Sequence, residues 1–478
     1  MKTRSYDIER NIRFEVLSAA QKEEIHEAAI RILEDIGMRI GGAPALAKFA
    51  ERGLRPGGDG TIRIPRSLVQ WALDKVPHEL VLYNRDGREM IRLDRTNRVY
   101  FGTHSDMTYF LDWRTNTVRE TRLSDIETMN KICSYCENID FALSVGIVNG
   151  IDPRICAQVA LIEACKYNEK VVNFSTNNVE ALQDCIDILD LVAGGHENFV
   201  KKPFAFNYCE PIPPLTHPAE STEKLRISAE NGLPVVYMPY CMMGGTAPMD
   251  RPTTLAQCFA EILAGLVISQ LFSEGAPFIA GSMPSIFDMR TTIGSYAAPE
   301  FHLMIAASSE MADYYNLPFF GTAGCSDAKT LDAQAASEIS YQLLSTLLSR
   351  ANLIHDVGLH DHCLSVSPAT VVLANELINA FKSYVRGVSG PADLQLLRDV
   401  GPGGHHLNED NTLDRFYEEV WYPRFFSRAM VSPDESPVMP AICDWIDRML
   451  ADNPGSTLPQ ETLAKLDALE RRYFDSVR

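Results

Sequence analysis

Polar, aromatic and methionine side chains follow a series of short apolar segments in this sequence. The residues at these positions are His104, Ser105, Asp106, Asn149, Tyr208, Cys209, Glu210, Tyr240, Cys241, Met242, Met243, Ser282, Met283, Gly321, Thr322, His355 and Asp356. A quaternary ammonium is bound by aromatic faces and a nearby negative charge, because it has no hydrogen-bond donors to satisfy. If the segments end at one place in the fold, the sequence predicts a site for a cation that carries methyl groups.

The apolar segments themselves are eight candidate strands, which begin roughly 30 to 40 residues apart, the length of one strand, one helix and two loops. The candidates are residues 99–103, 141–148, 171–176, 204–209, 234–240, 277–282, 318–322 and 353–357. Several of them are apolar throughout, as in PVVYM and APFIA, which is typical of a parallel sheet buried on both faces. We therefore predict an α/β fold, a closed (β/α)8 barrel whose active site lies at the carboxyl ends of the strands.

The remaining chain is divided around this barrel. Residues 1–98 combine an amphipathic helix over 16–36 with short strands, and we predict an N-terminal α+β extension there. The barrel is assigned to residues 99–390, and its first unit is predicted to contain a hairpin over 109–118. Residues 391–478 are predicted to be a helical C-terminal segment that packs on the barrel, interrupted at Gly401–His406.

The composition excludes several classes of function. The formal net charge of -19 makes nucleic acid an improbable partner, because phosphate binding needs clustered Lys and Arg. The first residues lack the apolar core of a secretory signal, and no apolar run reaches the length of a membrane span. We therefore expect a cytoplasmic protein with no membrane contact, whose 11 cysteines are reduced. Cys133 and Cys136 form a single CxxC, which is weak support for a metal or redox site.

A histidine cluster offers a different chemistry. His355, His360, His362 and Cys363 lie close together in the sequence and could bind zinc, although their spacing is not that of a standard zinc motif. A metal-dependent barrel lyase or hydrolase is therefore an alternative. The glycine clusters at 244–248 and 401–404 match neither a Walker loop nor a dinucleotide fingerprint, and no GxSxG elbow is present.

Several longer motifs resemble one known family. They are GGTAPM (244–249), EILAGLVISQL (261–271), APE (298–300), GTAGCSDAKTLDAQA (321–335), ANLIHDVG (351–358) and DVGPGGHHL (399–407), with IHEAAIRILEDIGMRI and FGTHSD nearer the N-terminus. Together they resemble the trimethylamine methyltransferase (MttB-like) superfamily over nearly the whole chain. The resemblance implies a (β/α)8 barrel that moves a methyl group from a methylated amine to the cobalt of a separate corrinoid protein.

The resemblance also bears on the substrate. The family archetype uses pyrrolysine, whereas this chain contains only the standard twenty residues. That difference implies the non-pyrrolysine branch, whose members act on quaternary amines such as glycine betaine. Demethylation of trimethylamine or another methylamine is the alternative within the family, and a catalytically silent binding protein for methylated amines is a third hypothesis.

The resemblance, combined with the strand-end residues, gives a hypothesis for the site. Tyr208, Tyr240 and Phe320 would surround the ammonium, and Glu210 and Asp106 would supply negative charge. His355 would hold a substrate carboxylate, helped by Thr322 and the backbone amides of residues 322–325. The residues expected to face the corrinoid are His104, Gly244 and Met283.

No cofactor is expected to be bound by the chain itself, because the DxHxxG corrinoid-binding pattern is absent. A cognate corrinoid protein would therefore bring the cobalamin, and no catalytic metal is assigned. The family resemblance favours a homo-oligomer, whose size the sequence does not set.

Overall fold

Eight parallel strands close into a barrel. The computed structural model describes residue 12 and residues 14–94, 98–103, 108–144, 148–388, 390–430, 432, 438–452 and 455–478. The barrel strands are β1 (Tyr100–Thr103), β2 (Phe141–Ser144), β3 (Val171–Ser175), β4 (Ala205–Cys209), β5 (Val235–Tyr237), β6 (Phe278–Gly281), β7 (Phe319–Thr322) and β8 (Leu353–Val357). Each pairs with its neighbours in chain order, and β8 pairs with β1 to complete the ring. The predicted (β/α)8 barrel is confirmed.

Helices connect the strands and cover the outside of the barrel, as parallel pairing requires. Between β1 and the end of the barrel they are Leu123–Tyr135, Cys156–Tyr167, Val179–Ala193, His196–Lys201, Ala219–Glu230, Arg251–Phe272, Pro299–Tyr314, Ala333–Ser349 and Pro368–Val385. Helix Arg251–Phe272 is long and apolar enough to cross a bilayer, but 89% of its most apolar window is buried inside the protein. Its composition is therefore that of a core helix.

Aromatic side chains fill the inside of the barrel. The ring centroid of Phe320 lies 6.3 Å from that of Phe141 and 6.0 Å from that of Phe206. Gly102 on β1 makes room for this packing, since a Cβ atom there would lie 2.1 Å from the ring of Phe141. The barrel is thus closed by a packed aromatic layer, and any ligand must bind above it.

Short hairpins extend the carboxyl-end loops of three strands. The predicted hairpin after β1 is present as Tyr109–Asp112 and Thr117–Glu120. It joins the two short strands that follow β8, Leu359–His360 and Ser365–Val366, in one four-stranded sheet. A second hairpin, Ile286–Asp288 with Ile293–Ser295, follows β6. These hairpins place extra backbone around the mouth of the barrel.

The N-terminal and C-terminal regions pack against the barrel. The N-terminal elements are helix Ala19–Arg31, the π-helical turn Ile32–Ile36, helices Ala43–Glu51 and Arg66–Lys75, and strands Arg39–Ile40, Leu80–Tyr83 and Glu89–Leu93. Strand Thr216–His217 pairs with Arg39–Ile40. The C-terminal helices are Leu394–Val400, Asp410–Glu419, Val438–Ala451 and Gln460–Ser476. One hydrophobic core runs from Ile25 to Ile446, so the boundaries at 98 and 390 stay predictions.

Candidate active site

A cavity of about 730 Å³ opens at the carboxyl ends of the barrel strands. Five of the predicted residues line it: Tyr208, Glu210, Tyr240, Met283 and His355. Strands β4 and β8 and the segments that follow β4, β5 and β6 therefore bring these five residues together, as the barrel topology predicts. The lining also includes residues outside the predicted substrate set, namely Ser175, Thr176, Lys224, Thr246, Tyr296, Asp356 and Cys363.

Two predicted substrate contacts lie beneath the cavity instead of lining it. Phe320 is fully buried, with its ring centroid 4.5 Å from that of His355 and 6.3 Å from that of Tyr208. Thr322 is also fully buried, and its hydroxyl lies 3.4 Å from Nδ1 of His355. Both residues support the residues that line the cavity. The structure therefore places neither Phe320 nor Thr322 where it could contact a substrate in the cavity.

The other predicted contacts have different outcomes. Gly244 lies in a turn, where its φ is +84° and its N–H donates to Ala247 O at 2.9 Å. Gly244 is not among the lining residues of the cavity, but Thr246 from the same turn is. The corrinoid-facing roles of Gly244 and Met283 stay predictions. Asp106 and His104 lie outside the described residues.

His355 and Asp356 form a buried pair at the end of β8. Nδ1 of His355 donates to Gly321 O at 2.8 Å, which leaves Nε2 directed to Asp356, 3.4 Å from its Oδ2. Asp356 is 1% exposed, and neither of its carboxylate oxygens accepts a hydrogen bond of ordinary length from the described residues. Burial raises the pKa of Asp356, while the charge of His355 and then a weak hydrogen bond from the Thr322 side chain act in the opposite direction. A buried carboxylate of this kind is costly unless something else balances it.

The backbone at Asp356 is unusual as well. Its φ is +76°, and the pairing of β8 with β1 shifts register between Ile354 and Val357. A residue other than glycine held in this region is strained by on the order of 1 kcal/mol, and such positions concentrate at functional sites. The bulge places Asp356 in the lining of the cavity, which also contains the aromatic side chains of Tyr240 and Tyr296.

Aromatic rings form much of the remaining wall. Tyr240 and Tyr296 stack with their ring centroids 6.2 Å apart and their planes 22° apart. Burial raises the pKa of both phenols, so they are neutral at physiological pH. Tyr208 donates its hydroxyl to Oε2 of Glu210 at 3.1 Å, which keeps that carboxylate at the cavity edge. The wall combines π-faces with carboxylates, the arrangement that a methylated cation prefers.

Lys224 is a cavity residue that the sequence did not reveal. It belongs to helix Ala219–Glu230, and Nζ donates to Thr176 O at 2.6 Å and pairs with Glu220 at 2.6 Å. Among the described lining residues it is the one Lys or Arg. Two of its three N–H groups are used by these contacts, so one remains for an anion. No pattern in the surrounding sequence indicates that Lys224 lines the cavity, because a lysine on an amphipathic helix is usually solvated.

The proposed zinc cluster does not form. Nδ1 of His360 donates to Ala328 O at 3.1 Å, and Nε2 accepts from the Thr370 hydroxyl at 2.6 Å, so both ring nitrogens are occupied. Burial lowers the pKa of His360 to about 4, which keeps it neutral. His362 lies 3.1 Å from Asp327, away from this pair. Within the part of the chain that the structure describes, no three His, Cys, Asp or Glu side chains converge as a metal site.

Two smaller features of the sequence have different outcomes. The backbone amides of Gly324 and Cys325 donate to the Gln342 side chain, at 3.0 and 3.2 Å, so these amides are not available for a substrate carboxylate. Cys133 and Cys136 are both buried, and burial raises the pKa of Cys133 to about 11. A thiol in that environment is inert, which argues against a redox role for the CxxC.

A (β/α)8 barrel with a polar and aromatic cavity at its carboxyl-end mouth defines the chain as a barrel enzyme. The family model described as trimethylamine methyltransferase (MTTB) matches residues 2–433. The chain therefore belongs to the trimethylamine methyltransferase family, and it is a methyltransferase.

Curated relatives agree with this assignment. Glycine betaine methyltransferase of Desulfitobacterium hafniense (strain Y51) is 28% identical over 425 residues, 87% of this chain and 88% of the relative. Trimethylamine methyltransferase MttB of Desulfitobacterium hafniense (strain DSM 10664 / DCB-2) is 29% identical over 401 residues, 81% of this chain and 79% of the relative.

A solved structure supports the architecture. The monomethylamine methyltransferase MtmB of Methanosarcina barkeri matches with a TM-score of 0.52, covering 80% of this chain and 79% of that one. At 12% sequence identity the likeness shows the fold alone. It agrees with the closed barrel described above.

Proposed function

We propose that this methyltransferase takes a methyl group from a quaternary, betaine-type amine and passes it to the cobalt of a corrinoid carried by a separate protein. The similarity to glycine betaine methyltransferase supports the choice of donor. The observation that carries the proposal is Asp356, a buried carboxylate without a hydrogen bond of ordinary length in the described chain, which lines the same cavity as several aromatic side chains. A cation without N–H groups balances such a charge without needing acceptors of its own.

The charges of the cavity suit a zwitterion. Asp356 lines the same cavity as Tyr240 and Tyr296, and we expect its carboxylate to be the counter-charge of the trimethylammonium group. Lys224 also lines the cavity and keeps one N–H, so it can bind the carboxylate of a betaine. The role first predicted for His355, holding that carboxylate, stays a prediction, but Nε2 of His355 already faces the carboxylate of Asp356.

The chemistry requires orientation more than acid–base help. Cobalt(I) of the partner's corrinoid would supply the electron pair of the new carbon–cobalt bond, while the pair of the broken C–N bond stays on nitrogen and a neutral tertiary amine leaves. No proton moves in this step, so the chain needs no general base. Its residues hold the ammonium still, exclude water and direct one methyl group outward.

The shape of the cavity fits an external acceptor. Its volume of about 730 Å³ is larger than a small betaine fills, and it lies at the open end of the barrel. Thr246 and Met283 line it beside the aromatic wall. The acceptor could therefore approach the exposed methyl group directly, with the packed layer at Phe320 closing the opposite side.

The direct test is methyl transfer to free cob(I)alamin, followed by its absorbance change. We expect conversion with glycine betaine, and no conversion with trimethylamine under the same conditions. Conversion with trimethylamine alone would favour the alternative function within the family. Binding of betaine without any transfer, even with a cognate corrinoid protein present, would contradict the methyltransferase proposal for this substrate.

Binding measurements can separate the two charged ends of the substrate. Replacing the quaternary nitrogen of glycine betaine by carbon gives 3,3-dimethylbutanoate, which has the same shape and no positive charge. We expect it to bind at least tenfold more weakly, because a desolvated cation–π contact is worth about 2 kcal/mol. Replacing Lys224 by Met should weaken betaine and leave choline, which lacks a carboxylate, unchanged. If the affinities for betaine and choline fall equally, Lys224 does not recognise the carboxylate.

A further inference from the structure

One helix on the outside of the barrel carries two polar side chains in the middle of a buried stretch. Helix Arg251–Phe272 is buried over residues 254–271, and Glu261 is the one charged residue of that stretch. Gln257 lies one turn earlier on the same face, and both side chains are buried. A buried carboxylate is costly, and a well-packed apolar side chain in its place is often no less stable. Stability alone therefore does not account for Glu261 and Gln257, here named the polar pair.

Glu261 binds the segment that follows β4. Its Oε1 accepts from the backbone N–H of Leu215 at 2.9 Å. Leu215 has a φ of +53° and lies in a turn that is closed by the N–H of Ile212, which donates to Thr216 O at 2.8 Å. The bond from Glu261 therefore holds a strained turn from the side of the core. The residues of this segment that line the cavity are Glu210, Pro211, Ile212, Pro213 and Pro218.

Gln257 binds the segment that follows β5. Its Nε2 donates to Thr246 O at 3.0 Å and to Oε1 of Glu261 at 3.0 Å, so both N–H bonds of the amide are used. The Thr246 hydroxyl donates to Tyr240 O at 3.4 Å, and both of these residues line the cavity. The hydrogen bonds of the polar pair thus join the two cavity segments that follow β4 and β5.

The two oxygens of the Glu261 carboxylate differ in their bonding. Oε1 accepts both hydrogen bonds, whereas Oε2 has no hydrogen-bond partner among the described residues. Burial raises the pKa of Glu261 to about 7, while the Leu215 N–H and the Gln257 amide act in the opposite direction. These two donors therefore balance the buried carboxylate, and without it both would be left unsatisfied in the core.

We propose that the polar pair positions the cavity residues of both segments, so that Glu261 is a positioning residue for methyl transfer. Glu261 is not among the lining residues of the cavity, and it acts through Leu215 and Thr246. The reaction depends on orientation, and a displacement of about 1 Å can cost about 100-fold in rate. The kinetic test rests on the proposed function, because it uses glycine betaine as the methyl donor.

The test compares Glu261→Met with Glu261→Gln in the full chain, with cob(I)alamin as the acceptor. Methionine removes the oxygen that binds both donors, so we expect the KM for glycine betaine to rise about tenfold as the cavity segments are displaced. A variant that is merely less stable has fewer folded molecules, which lowers kcat and leaves KM unchanged. Glutamine keeps Oε1 as an acceptor and should restore KM to within about threefold of the wild type.

Glu376→Met is the matched control. Glu376 is also a buried glutamate, and its Oε1 accepts from the backbone N–H groups of Arg424 and Phe425. It lies at the base of the barrel, the end opposite the cavity, because the neighbouring Asn375 accepts from the N–H of Asn138 just before the amino end of β2. We expect thermal unfolding at a lower temperature and an unchanged KM.

Hydrogen–deuterium exchange gives a readout that needs no substrate. In Glu261→Met, the backbone amides of residues 210–218 and 240–248 should exchange at least about tenfold faster than in the wild type, because both segments lose a bond to the core. Glu376→Met should leave the exchange of both segments unchanged. Should Glu261→Met fail to fold, Gln257→Leu removes the bond to Thr246 and gives the same test.

Two outcomes would overturn the positioning role. If Glu261→Met keeps the wild-type KM, or if the exchange of both cavity segments stays at the wild-type rate, the polar pair does not position the cavity. A wild type that leaves glycine betaine unchanged would instead contradict the proposed substrate. The exchange measurement then decides the role of the polar pair without any turnover.

Discussion

The two ends of the barrel differ in how well their buried charged groups are hydrogen-bonded. At the base, Nζ of Lys170 donates to the carbonyl oxygens of Cys133 and Cys136 at 2.7 and 2.6 Å, and also to Ile139 O. Asp140 there accepts from the N–H of Phe101 at 2.9 Å. At the mouth, the carboxylate of Asp356 lies 3.4 Å from Nε2 of His355 and accepts no hydrogen bond of ordinary length in the described chain. Satisfied charge maintains a fold, whereas unsatisfied charge in a cavity indicates a ligand.

The largest effect is expected from Asp356→Asn at the mouth. Removing one partner of a buried charge pair costs 2–5 kcal/mol in binding, so kcat/KM for glycine betaine should fall by about 100-fold or more. Asparagine has the size of aspartate and can still contact Nε2 of His355, so the melting temperature should change little. Initial rates and thermal unfolding of the same sample measure both effects.

The matched control is the same substitution at the base, Asp140→Asn. It should leave kcat/KM nearly unchanged, since Asp140 is far from the cavity. If Asp356→Asn lowers the melting temperature and keeps full activity, the contrast between the two ends is wrong and Asp356 is structural.

Lys170→Met should have the next largest effect. It should lower the stability of the fold and leave the activity of the folded protein unchanged. Three carbonyl oxygens would lose their donor, so we expect the free energy of unfolding to fall by about 3 kcal/mol. Urea denaturation measures this loss, with the activity per folded molecule kept within about twofold. The control is Lys465→Met, which removes an exposed ion pair with Glu461 and should change stability by less than about 0.5 kcal/mol.

The raised pKa of Asp356 predicts how binding depends on pH. The cation favours the ionised carboxylate, so affinity should be greatest above this pKa and fall as the pH drops through it. Because burial raises the pKa, the fall should begin above the range of an ordinary aspartate. Calorimetry with choline, which has no group that titrates there, should show at most tenfold weaker binding per pH unit. A flat profile for the wild type would exclude Asp356 as the counter-charge, and Asp356→Asn should be flat in any case.

The smallest effect should come from the aromatic wall. Tyr240→Leu removes a π-face and should weaken quaternary amines by about fivefold, equivalent to about 1 kcal/mol. Tyr240→Phe keeps the face and should stay within about twofold. If both variants lose affinity for quaternary amines equally, the Tyr240 hydroxyl and not its ring contributes to binding.

The fold was largely predictable because its signals are local. All eight barrel strands occur where apolar segments alternate with helices, although several are shorter than predicted, as with Phe141–Ser144 and Val235–Tyr237. The site was predictable only in part. Tyr208 and Tyr240 were predictable because one lies at the end of a strand and the other just after one, whereas Lys224 reaches the cavity from a helix and Tyr296 from the segment after a hairpin.

The sequence by itself determined the barrel, the end at which its site lies and the family, since these follow from spacing, apolar patterning and motifs. Only the tertiary structure decided which polar residues are satisfied. His355 and His360 are five positions apart, yet one ring faces a buried carboxylate in the cavity and the other has both nitrogens bonded within the fold. That difference depends on a backbone turn at Asp356 and on partners distant in the chain, such as Gly321 and Thr370. Hydrogen bonding acts over a few ångströms in space, and no spacing along the chain encodes it.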